Sequence, residues 1–436
     1  MKPLTLRRNF SWTFIGNAVF AACQWGMLVV IAKFGSPEMV GQFTLGLAVT
    51  APIIMFANLQ LRSVQVTDIK QEYLFADYLG LRLVTTGLAL IAIVGITLLA
   101  GYRWETSLVL VVTGLVKAVD SIRDVFQGLI QRYERMDHIA ISAMIRGPLS
   151  LLFLSIGLYL THSVLWGITG LLVALIIVFV SYDIRSALLV VNDISQSLHS
   201  NGFYDKNNLA LLRPRLQWNK LKKLVWLVLP LGFVMMLISL NTNIPRYFIE
   251  HYLGERELGF FAAISYLMVV TGMLISALGE SASPRLAQYY SQGNRKAFLA
   301  LLTKLVGIGF TMGVLGVLVV LIAGRQILTV LYRPEYAEYL DIFVLIMITT
   351  AISDVSSFLG YGMTAARYFS AQVPVFMMVT GTSALSCFWL IPNMGLRGAA
   401  IALLIGASIQ ALLSAAINIY ALNKLPEHWE EKHEIF

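Results

Sequence analysis

The sequence predicts an all-α integral membrane protein with about twelve transmembrane helices in two six-helix lobes. Hydrophobic residues make up 58% of the 436 residues, charged residues make up 13%, and the mean hydropathy is +0.74. Soluble domains carry about 25% charged residues, so a membrane protein is the class that fits this composition. The apolar residues fall into long runs, as expected if each helix needs about 20 of them to cross the hydrocarbon core.

Twelve such runs follow one another along the chain. The longest polar stretch, 184–222, is basic and separates the first six runs from the last six. We therefore expect an N-terminal lobe at 1–183, a basic cytoplasmic linker at 184–222, a C-terminal lobe at 223–422 and a charged cytoplasmic tail at 423–436. The runs cover residues 11–33, 39–58, 80–101, 107–130, 138–160, 163–183, 223–245, 257–279, 301–323, 339–362, 369–391 and 398–422.

The distribution of Lys and Arg predicts the orientation. Most of the 32 basic residues fall in alternate loops on the same side as both chain ends, and cytoplasmic loops are the ones enriched in Lys and Arg. Both termini are therefore predicted to be cytoplasmic, and the net charge of +8 needs no nucleic-acid partner. This assignment places Arg62 and Arg82 in a cytoplasmic segment. The outer side receives Lys33, Arg103, Arg246, Arg256, Arg325, Arg333 and Arg397.

The two predicted lobes share short motifs. Residues 34–43 follow the first run and residues 253–261 follow the seventh, and both contain glycine, a short polar turn, an apolar residue, glycine and an aromatic residue. Six spans return a chain to its starting side, so the lobes have the same orientation. Related halves of this kind form transporters whose central site opens alternately to either side of the membrane.

Charged side chains inside the fourth run, 107–130, mark the candidate site. Polar residues recur there at spacings of three and four, so they share one helical face, and the opposite face is predicted to contact lipid. A charge at the centre of a membrane helix costs about 2.5–3.5 kcal/mol, so we expect a cavity lining. The alternatives are an ion-pair network that only holds helices together, or a helix that leaves the membrane after Asp120. The polar face comprises Thr113, Lys117, Asp120, Asp124, Gln127 and Gln131.

Three further charged residues belong to the predicted site. Arg146 lies in the run 138–160, which contains no Asn, Asp or Glu, so it needs a partner from another helix, from water or from an anionic ligand. Asp354 lies among Ser and Thr in the tenth run, where it is predicted to be either a proton site or a hydrogen-bonded packing residue. Glu280 follows the eighth run.

Signatures of catalysis and of metal binding are absent from the sequence. There is no Walker loop, zinc motif or nucleophile elbow, and the six His are scattered. Cys23 and Cys387 lie in different runs without metal-ligand spacing. We therefore expect no enzyme activity, no cofactor and no metal.

Several motifs resemble a known family. They are Asn-Leu-Gln-Leu-Arg-Ser-Val-Gln-Val-Thr-Asp at 58–68, Lys-Ala-Val-Asp-Ser-Ile-Arg-Asp at 117–124, Gly-Leu-Ile-Gln-Arg-Tyr-Glu-Arg-Met-Asp at 128–137, and Arg146-Gly147. Together with the turn Gly-Leu-Arg-Gly-Ala-Ala at 395–400, they resemble the bacterial Wzx-type polysaccharide-unit flippases. These form the polysaccharide transport family of the multidrug/oligosaccharidyl-lipid/polysaccharide (MOP) superfamily, which has a MATE-like fold.

The resemblance implies that the chain moves an undecaprenyl-diphosphate-linked oligosaccharide to the outer leaflet of the bacterial cytoplasmic (inner) membrane, for O-antigen, capsule or exopolysaccharide assembly. It implies alternating access through a cationic central cavity, coupling to an ion gradient, contact with membrane lipids, and a polysaccharide polymerase and chain-length regulator as partners. Arg and Lys suit a diphosphate by charge, and Arg also by bidentate geometry. The candidate substrate contacts are Lys117, Arg123, Arg146 and Arg62, and the candidate ion-coupling carboxylates are Asp120, Asp124, Glu280 and Asp354.

Three alternatives stay open at this point. A cation-coupled multidrug exporter of the same fold typically has an acidic residue in its first span, but 11–34 contains no Asp or Glu. A peptidoglycan-precursor flippase usually has fourteen spans. A membrane-embedded polysaccharide polymerase or acyltransferase tends to need a large outer loop or a His within a span, and neither is predicted here.

Overall fold

The structure is a computed structural model that describes residues 6–68, 72–190, 213–366 and 368–424. These residues are almost entirely helical and include no β-strand, which confirms the predicted all-α membrane fold. Ten helices in the described part of the chain are long and apolar enough to cross a bilayer. Most of the predicted linker and nearly all of the predicted tail lie outside the described residues.

Two helices explain the difference between ten candidate spans and twelve predicted runs. The helix Trp104–Arg132 covers the fourth run but is rich in charged residues. The helix Phe369–Asn423 covers the last two runs in one element, with a break at Gly395, where φ is 59° and ψ is −139°. Glycine adopts this conformation readily. The number of spans and the side of the termini stay predictions.

The chain divides into two compact units, Met1–Ser239 and Leu240–Phe436. The boundary falls inside one helix, Trp218–Leu253, and the lobe limits expected from the sequence stay a prediction. The elements of unit 1 are α1 (Leu6–Phe34), α2 (Pro37–Asn58), α3 (Leu61–Thr67), α4 (Phe75–Leu99), α5 (Trp104–Arg132), α6 (Met136–Thr161), α7 (Val164–Val178) with the π-helical turn that follows it (Phe179–Asp183), and the first part of α8 (Trp218–Leu253).

Helix α2 has clear signals at both ends. Ser36 caps its N-terminus by accepting a hydrogen bond from the Met39 backbone N–H at 3.4 Å, and Pro37 occupies the first turn, where its missing N–H costs nothing. The helix ends at Asn58 because Leu59 and Gln60 adopt φ of 50° and 51°. Helix α3 begins directly after this turn.

Helix α5 lies at the centre of unit 1, where it packs against α2, α3, α4 and α7. Helix α6 packs mainly against α1 and α7. One end of α5 packs into an apolar core. The other residues of this core come from α3, α4, the segment after the π-helical turn and the start of α8, together with Leu59. The core consists of Leu59, Leu61, Tyr78, Leu79, Leu81, Val125, Phe126, Leu129, Ile130, Ala187, Val190, Leu221, Leu224 and Val228.

Unit 2 contains the rest of α8 and is also helical. The helices Arg295–Leu331 and Leu340–Ala365 pack closely, because a Cβ added to Gly313 would lie only 2.6 Å from Ala351 Cα. Small residues permit such close approach of helices within membranes. The elements are α9 (Glu255–Ser265), α10 (Leu267–Ser291), α11 (Arg295–Leu331), a 3₁₀ turn (Pro334–Tyr339), α12 (Leu340–Ala365) and α13 (Phe369–Asn423).

Large apolar side chains cover much of the outer surface. On α4, Leu88, Ile91 and Leu98 are 61%, 71% and 73% exposed. A soluble monomer rarely exposes contiguous apolar patches of this kind, whereas a membrane helix presents them to lipid tails. The exposed faces agree with a multi-pass membrane protein.

Candidate functional site

The polar face of α5 borders a cavity in unit 1. The cavity has a volume of about 310 Å³ and lies among α2, α5 and α6. Four of the six residues predicted to share this face line it, and the other two are placed nearby in hydrogen bonds of their own: Thr113 donates to the Val109 carbonyl, and Gln131 accepts from Arg62. The lining consists of Ala51, Ile54, Met55, Asn58, Lys117, Asp120, Ser121, Arg123, Asp124, Gln127 and Arg146.

The opposite face of α5 corrects one expectation. The sequence predicted that this face contacts lipid, but Ala118, Val125 and Leu129 are at most 6% exposed, and only Leu115, at 38%, is an exposed residue of this face. Helix α5 is surrounded by other helices of unit 1, so its apolar face packs against protein. Apolar side chains alone do not distinguish lipid from a protein neighbour, because both are apolar environments.

Asp120 joins two arginines through one oxygen. Its Oδ1 accepts a hydrogen bond from Arg123 Nη1 at 3.2 Å and another from Arg146 Nη1. The Asp120 side chain keeps 32% of its surface exposed, whereas the Arg123 and Arg146 side chains keep 5% and 11%. The carboxylate therefore reaches the cavity while it compensates two nearly buried cations.

Arg146 finds the partners on other helices that its own run lacks. Besides Asp120 on α5, its guanidinium lies 3.9 Å from the centre of the Phe20 ring on α1, within the range of a cation–π contact. Arg146 Nε is buried and has no hydrogen-bond partner among the described residues. An unsatisfied buried donor is costly, so this atom has unused capacity for an acceptor.

Arg123 is held by partners that the sequence analysis did not identify. Arg123 Nε donates to Asp183 Oδ2 at 2.8 Å, and Nη2 donates to Ser142 Oγ at 3.2 Å. Asp183 is only 2% exposed and lies at the end of the π-helical turn, a distortion that often occurs at functional sites. The signal in the sequence was a single carboxylate at the very end of the sixth apolar run.

Asp124 joins two more arginines at the next turn of α5. Its Oδ1 accepts from Arg62 Nη1 at 3.3 Å and its Oδ2 accepts from Arg82 Nη2 at 3.2 Å. Arg62 also donates to Gln127 at 3.1 Å and to Gln131 at 2.7 Å. These bonds tie α3 and α4 to α5.

Arg82 was expected in a cytoplasmic segment between spans but lies inside α4, and its side of the membrane stays a prediction. Arg82 is fully buried within α4 and donates to Asn58 as well as to Asp124. It lies near the start of an apolar run, and the sequence does not reveal the partner carboxylate 42 residues away. This location adds one buried cation to the site.

The turn between α2 and α3 positions two members of this network. Asn58 precedes and Arg62 follows the two left-handed residues, Leu59 and Gln60. Residues other than glycine in this region cost on the order of 1–2 kcal/mol each, and strained backbone of this kind occurs at functional sites. The turn brings Asn58 to Arg82 and Arg62 to Asp124.

Lys117 differs from the four arginines. It lines the cavity one turn before Asp120 and attracts that carboxylate at longer range, but it forms no hydrogen bond or salt bridge to another described residue. In the described part of the chain, the cavity and the residues bonded to its lining hold five cations and three carboxylates. The cations are Arg62, Arg82, Lys117, Arg123 and Arg146, and the carboxylates are Asp120, Asp124 and Asp183. The positive excess favours an anionic ligand.

The other two predicted carboxylates lie in unit 2 and do not line this cavity. Glu280 on α10 is exposed. Asp354 on α12 is 4% exposed, and its Oδ2 has no hydrogen-bond partner among the described residues. Of the two roles expected for Asp354, the unpaired oxygen disfavours hydrogen-bonded packing. Residues 6–68, 72–190, 213–366 and 368–424 contain no cluster of His, Cys, Asp and Glu that could hold a metal ion.

Comparison with known proteins identifies the family. The MatE family model matches residues 230–389. The capsular polysaccharide biosynthesis protein CapF of Staphylococcus aureus is 31% identical over 412 residues, which cover 93% of this chain and 97% of that protein. The chain belongs to the polysaccharide transport family of the MOP superfamily. As a member of this family it is a transporter rather than an enzyme.

Solved structures share the fold of this family member. A multidrug resistance MATE transporter of the MOP superfamily, in an inward-facing conformation, has a TM-score of 0.72 at 13% identity and aligns over 95% of this chain and 98% of its own. The lipid II flippase MurJ, in an inward closed conformation, has a TM-score of 0.68 at 14% identity and aligns over 95% and 89%. At these identities the likeness concerns the fold alone.

Proposed function

We propose that this transporter flips polyprenyl-diphosphate-linked oligosaccharide units across the bacterial cytoplasmic membrane for surface polysaccharide assembly. The observation that carries the proposal is the cavity of unit 1, which has a positive excess and two cations with free donor capacity, Lys117 and Arg146. The relative CapF, which is named for capsular polysaccharide biosynthesis, supports this substrate over a drug.

A diphosphate suits the donors in this cavity. Its oxygens accept hydrogen bonds from Arg with bidentate geometry and from Lys as a point charge. Arg62 and Arg123 already donate to carboxylates and to neutral side chains, so we assign them to holding the cavity in shape. Lys117 and Arg146 are then the principal contacts of the diphosphate. The polar residues Asn58 and Gln127 suit sugar hydroxyls, and the polyprenyl tail stays in lipid.

Ion-gradient coupling with alternating access is part of the proposal. Among the four candidate carboxylates, Asp354 is supported best, because a buried carboxyl without a partner is less costly when it carries a proton. Both oxygens of Asp124 accept from arginines, which favours a structural role. A polysaccharide polymerase and a chain-length regulator are the proposed partners downstream of the flipped unit.

The test uses a strain in which a plasmid copy replaces the chromosomal gene. We expect Arg146→Ala to abolish surface polysaccharide and to cause lipid-linked units to accumulate, while the membrane level of the protein is unchanged. Arg397→Ala is the matched control, because Arg397 pairs with Asp341 at an exposed position of unit 2, and it should leave the polysaccharide intact. Normal polysaccharide with Arg146→Ala would contradict the proposal.

A drug-exporter function is tested in the same strains. If the transporter exported drugs, deleting the gene would lower the minimal inhibitory concentration of cationic drugs and leave surface polysaccharide unchanged. The proposal predicts that deleting the gene leaves the minimal inhibitory concentration unchanged and abolishes surface polysaccharide.

A further inference from the structure

Asp120 and Asp183 compensate Arg123 in different ways. Asp183 is 2% exposed and bonds directly to Arg123, with a longer-range attraction to Arg146, whereas Asp120 is 32% exposed, lines the cavity and divides one oxygen between Arg123 and Arg146. A buried ion pair is difficult to open because both charges would lose their compensation. A partly exposed carboxylate can turn toward water at much lower cost. Only the Asp120 contacts are therefore exchangeable.

The two arginines depend on Asp120 to different degrees. If Asp120 moved away, Arg123 would keep Asp183 and Ser142. Arg146 would keep the Phe20 ring and a longer-range attraction to Asp183 but no hydrogen bond among the described residues, and its Nε is unpaired in any case. Arg146 could therefore donate to an anion that entered the cavity. Lys117 lies on the same wall and would not have to break a hydrogen bond or salt bridge to bind it.

We infer that Asp120 is a resident counter-ion that occupies Arg146 in the empty cavity and yields it to the diphosphate of the substrate. Asp183 and Ser142 are the positioning residues that keep Arg123 in place during the exchange. The inference rests on the proposed function and extends it, because it assigns Asp120 to ligand exchange rather than to ion coupling. The Asp120 carboxylate also makes anion binding selective, because a ligand must replace the contacts that Asp120 provides to Arg146.

The experiment measures binding of geranyl diphosphate, a short soluble probe with the same headgroup chemistry, to the purified full-length protein in nanodiscs. In Asp120→Asn the competing charge is absent, so we expect binding about fivefold to tenfold tighter than in the wild type, equivalent to removing a repulsion of about 1 kcal/mol or slightly more. In the Arg146→Gln background the same Asp120→Asn change should have no such effect. A merely structural role for Asp120 predicts weaker binding instead.

The matched control is Asp341→Asn, which removes the same charge from the exposed pair with Arg397 in unit 2 and should change affinity less than about twofold, as expected of a screened surface charge. Asp120→Ser provides a second neutral variant if the amide does not fold. If both neutral variants fail to fold, Asp120 is a structural residue and the inference is overturned.

Wild-type binding separates the two proposals. If the wild type binds the probe and the neutral Asp120 variants bind equally or more weakly, the counter-ion role is wrong and the proposed function stands. If the wild type does not bind the probe at all, and Arg146→Gln makes no difference, the diphosphate assignment of the cavity fails and the counter-ion role fails with it.

Discussion

Asp124 Oδ2 accepts a hydrogen bond from Arg82 Nη2 at 3.2 Å, and Arg82 is completely buried. Asp124 is one turn beyond Asp120, and both carboxylates bridge two arginines. Helix α5 thus binds α3, α4 and α6 through two adjacent bridges. The polar network that forms the cavity wall also holds the helices together.

Replacing Arg82 by Gln should destabilise the protein without directly removing a contact to the ligand. Removing one partner of a fully buried ion pair costs about 3–5 kcal/mol, and the cost here should be smaller because Asp124 is 30% exposed and keeps Arg62. We expect the melting temperature to fall by several degrees, measured by size-exclusion chromatography after heating. The control Arg397→Gln disrupts an exposed pair, which is worth at most about 1 kcal/mol. Equal melting temperatures for the two variants would mean that the Arg82 pair is not structural.

Replacing Lys117 by Met should separate function from stability. Lys117 forms no hydrogen bond or salt bridge to another described residue, and Asp120, which it attracts at longer range, keeps both Arg123 and Arg146 without it. We expect a melting temperature at least as high as that of the wild type, together with a severalfold loss of geranyl diphosphate affinity and of surface polysaccharide. Lys117→Arg keeps the charge and should retain most of the binding. A large drop in melting temperature with Lys117→Met would argue for a structural role instead.

Asp183 is predicted to affect both stability and transport although it does not line the cavity. Asp183→Asn removes the buried counter-charge of Arg123, and a buried charge that loses its partner is strongly unfavourable. We expect reduced stability and reduced surface polysaccharide, with partial recovery in Asp183→Glu because the charge is restored. The comparison variant Asp137→Asn affects a carboxylate that pairs with Arg135 outside the cavity lining, and it should have the weaker effect. Wild-type behaviour of Asp183→Asn would remove this residue from the site.

Gln60→Gly should stabilise the turn between α2 and α3. Gln60 adopts φ of 51°, which costs on the order of 1–2 kcal/mol for a residue with a Cβ, and glycine avoids that cost but loses more backbone entropy on folding. The net gain expected is up to about 1 kcal/mol, visible as a slightly higher melting temperature. The exposed hydrogen bond from Ser63 to Gln60 is lost, so Gln60→Ala, which loses it too but keeps the Cβ, is the control. A lower melting temperature for the glycine variant than for the alanine variant would show that the backbone there is not strained.

Asp354→Asn tests the proposed proton site in unit 2. The carboxyl is buried with an unpaired oxygen, so a neutral isostere should fold at least as well as the wild type. We expect loss of gradient-driven translocation with geranyl diphosphate affinity unchanged. The same change at exposed Glu280, Glu280→Gln, should retain more translocation. If Asp354→Asn supports normal surface polysaccharide, coupling does not depend on this residue.

The amino-acid sequence was enough to predict the fold class and the outline of the candidate site. Composition and run length are local properties, and they identified an all-α membrane protein before any contact was known. The periodicity of α5 placed Lys117, Asp120, Asp124 and Gln127 on one face, and the four line one cavity. The absence of a partner within its own run indicated that Arg146 needs one from another helix, from water or from an anionic ligand, and Asp120 on α5 provides one.

Which charges meet depends on how the helices pack. Arg62 lies 62 residues from Asp124, and Arg123 lies 60 residues from Asp183, so no local pattern links them. The burial of Arg82, the left-handed turn at Leu59 and Gln60, and the enclosure of α5 by protein follow from how α2, α3, α4 and α5 pack. An ion pair depends on distance and burial, and these quantities arise when helices far apart in the sequence come together.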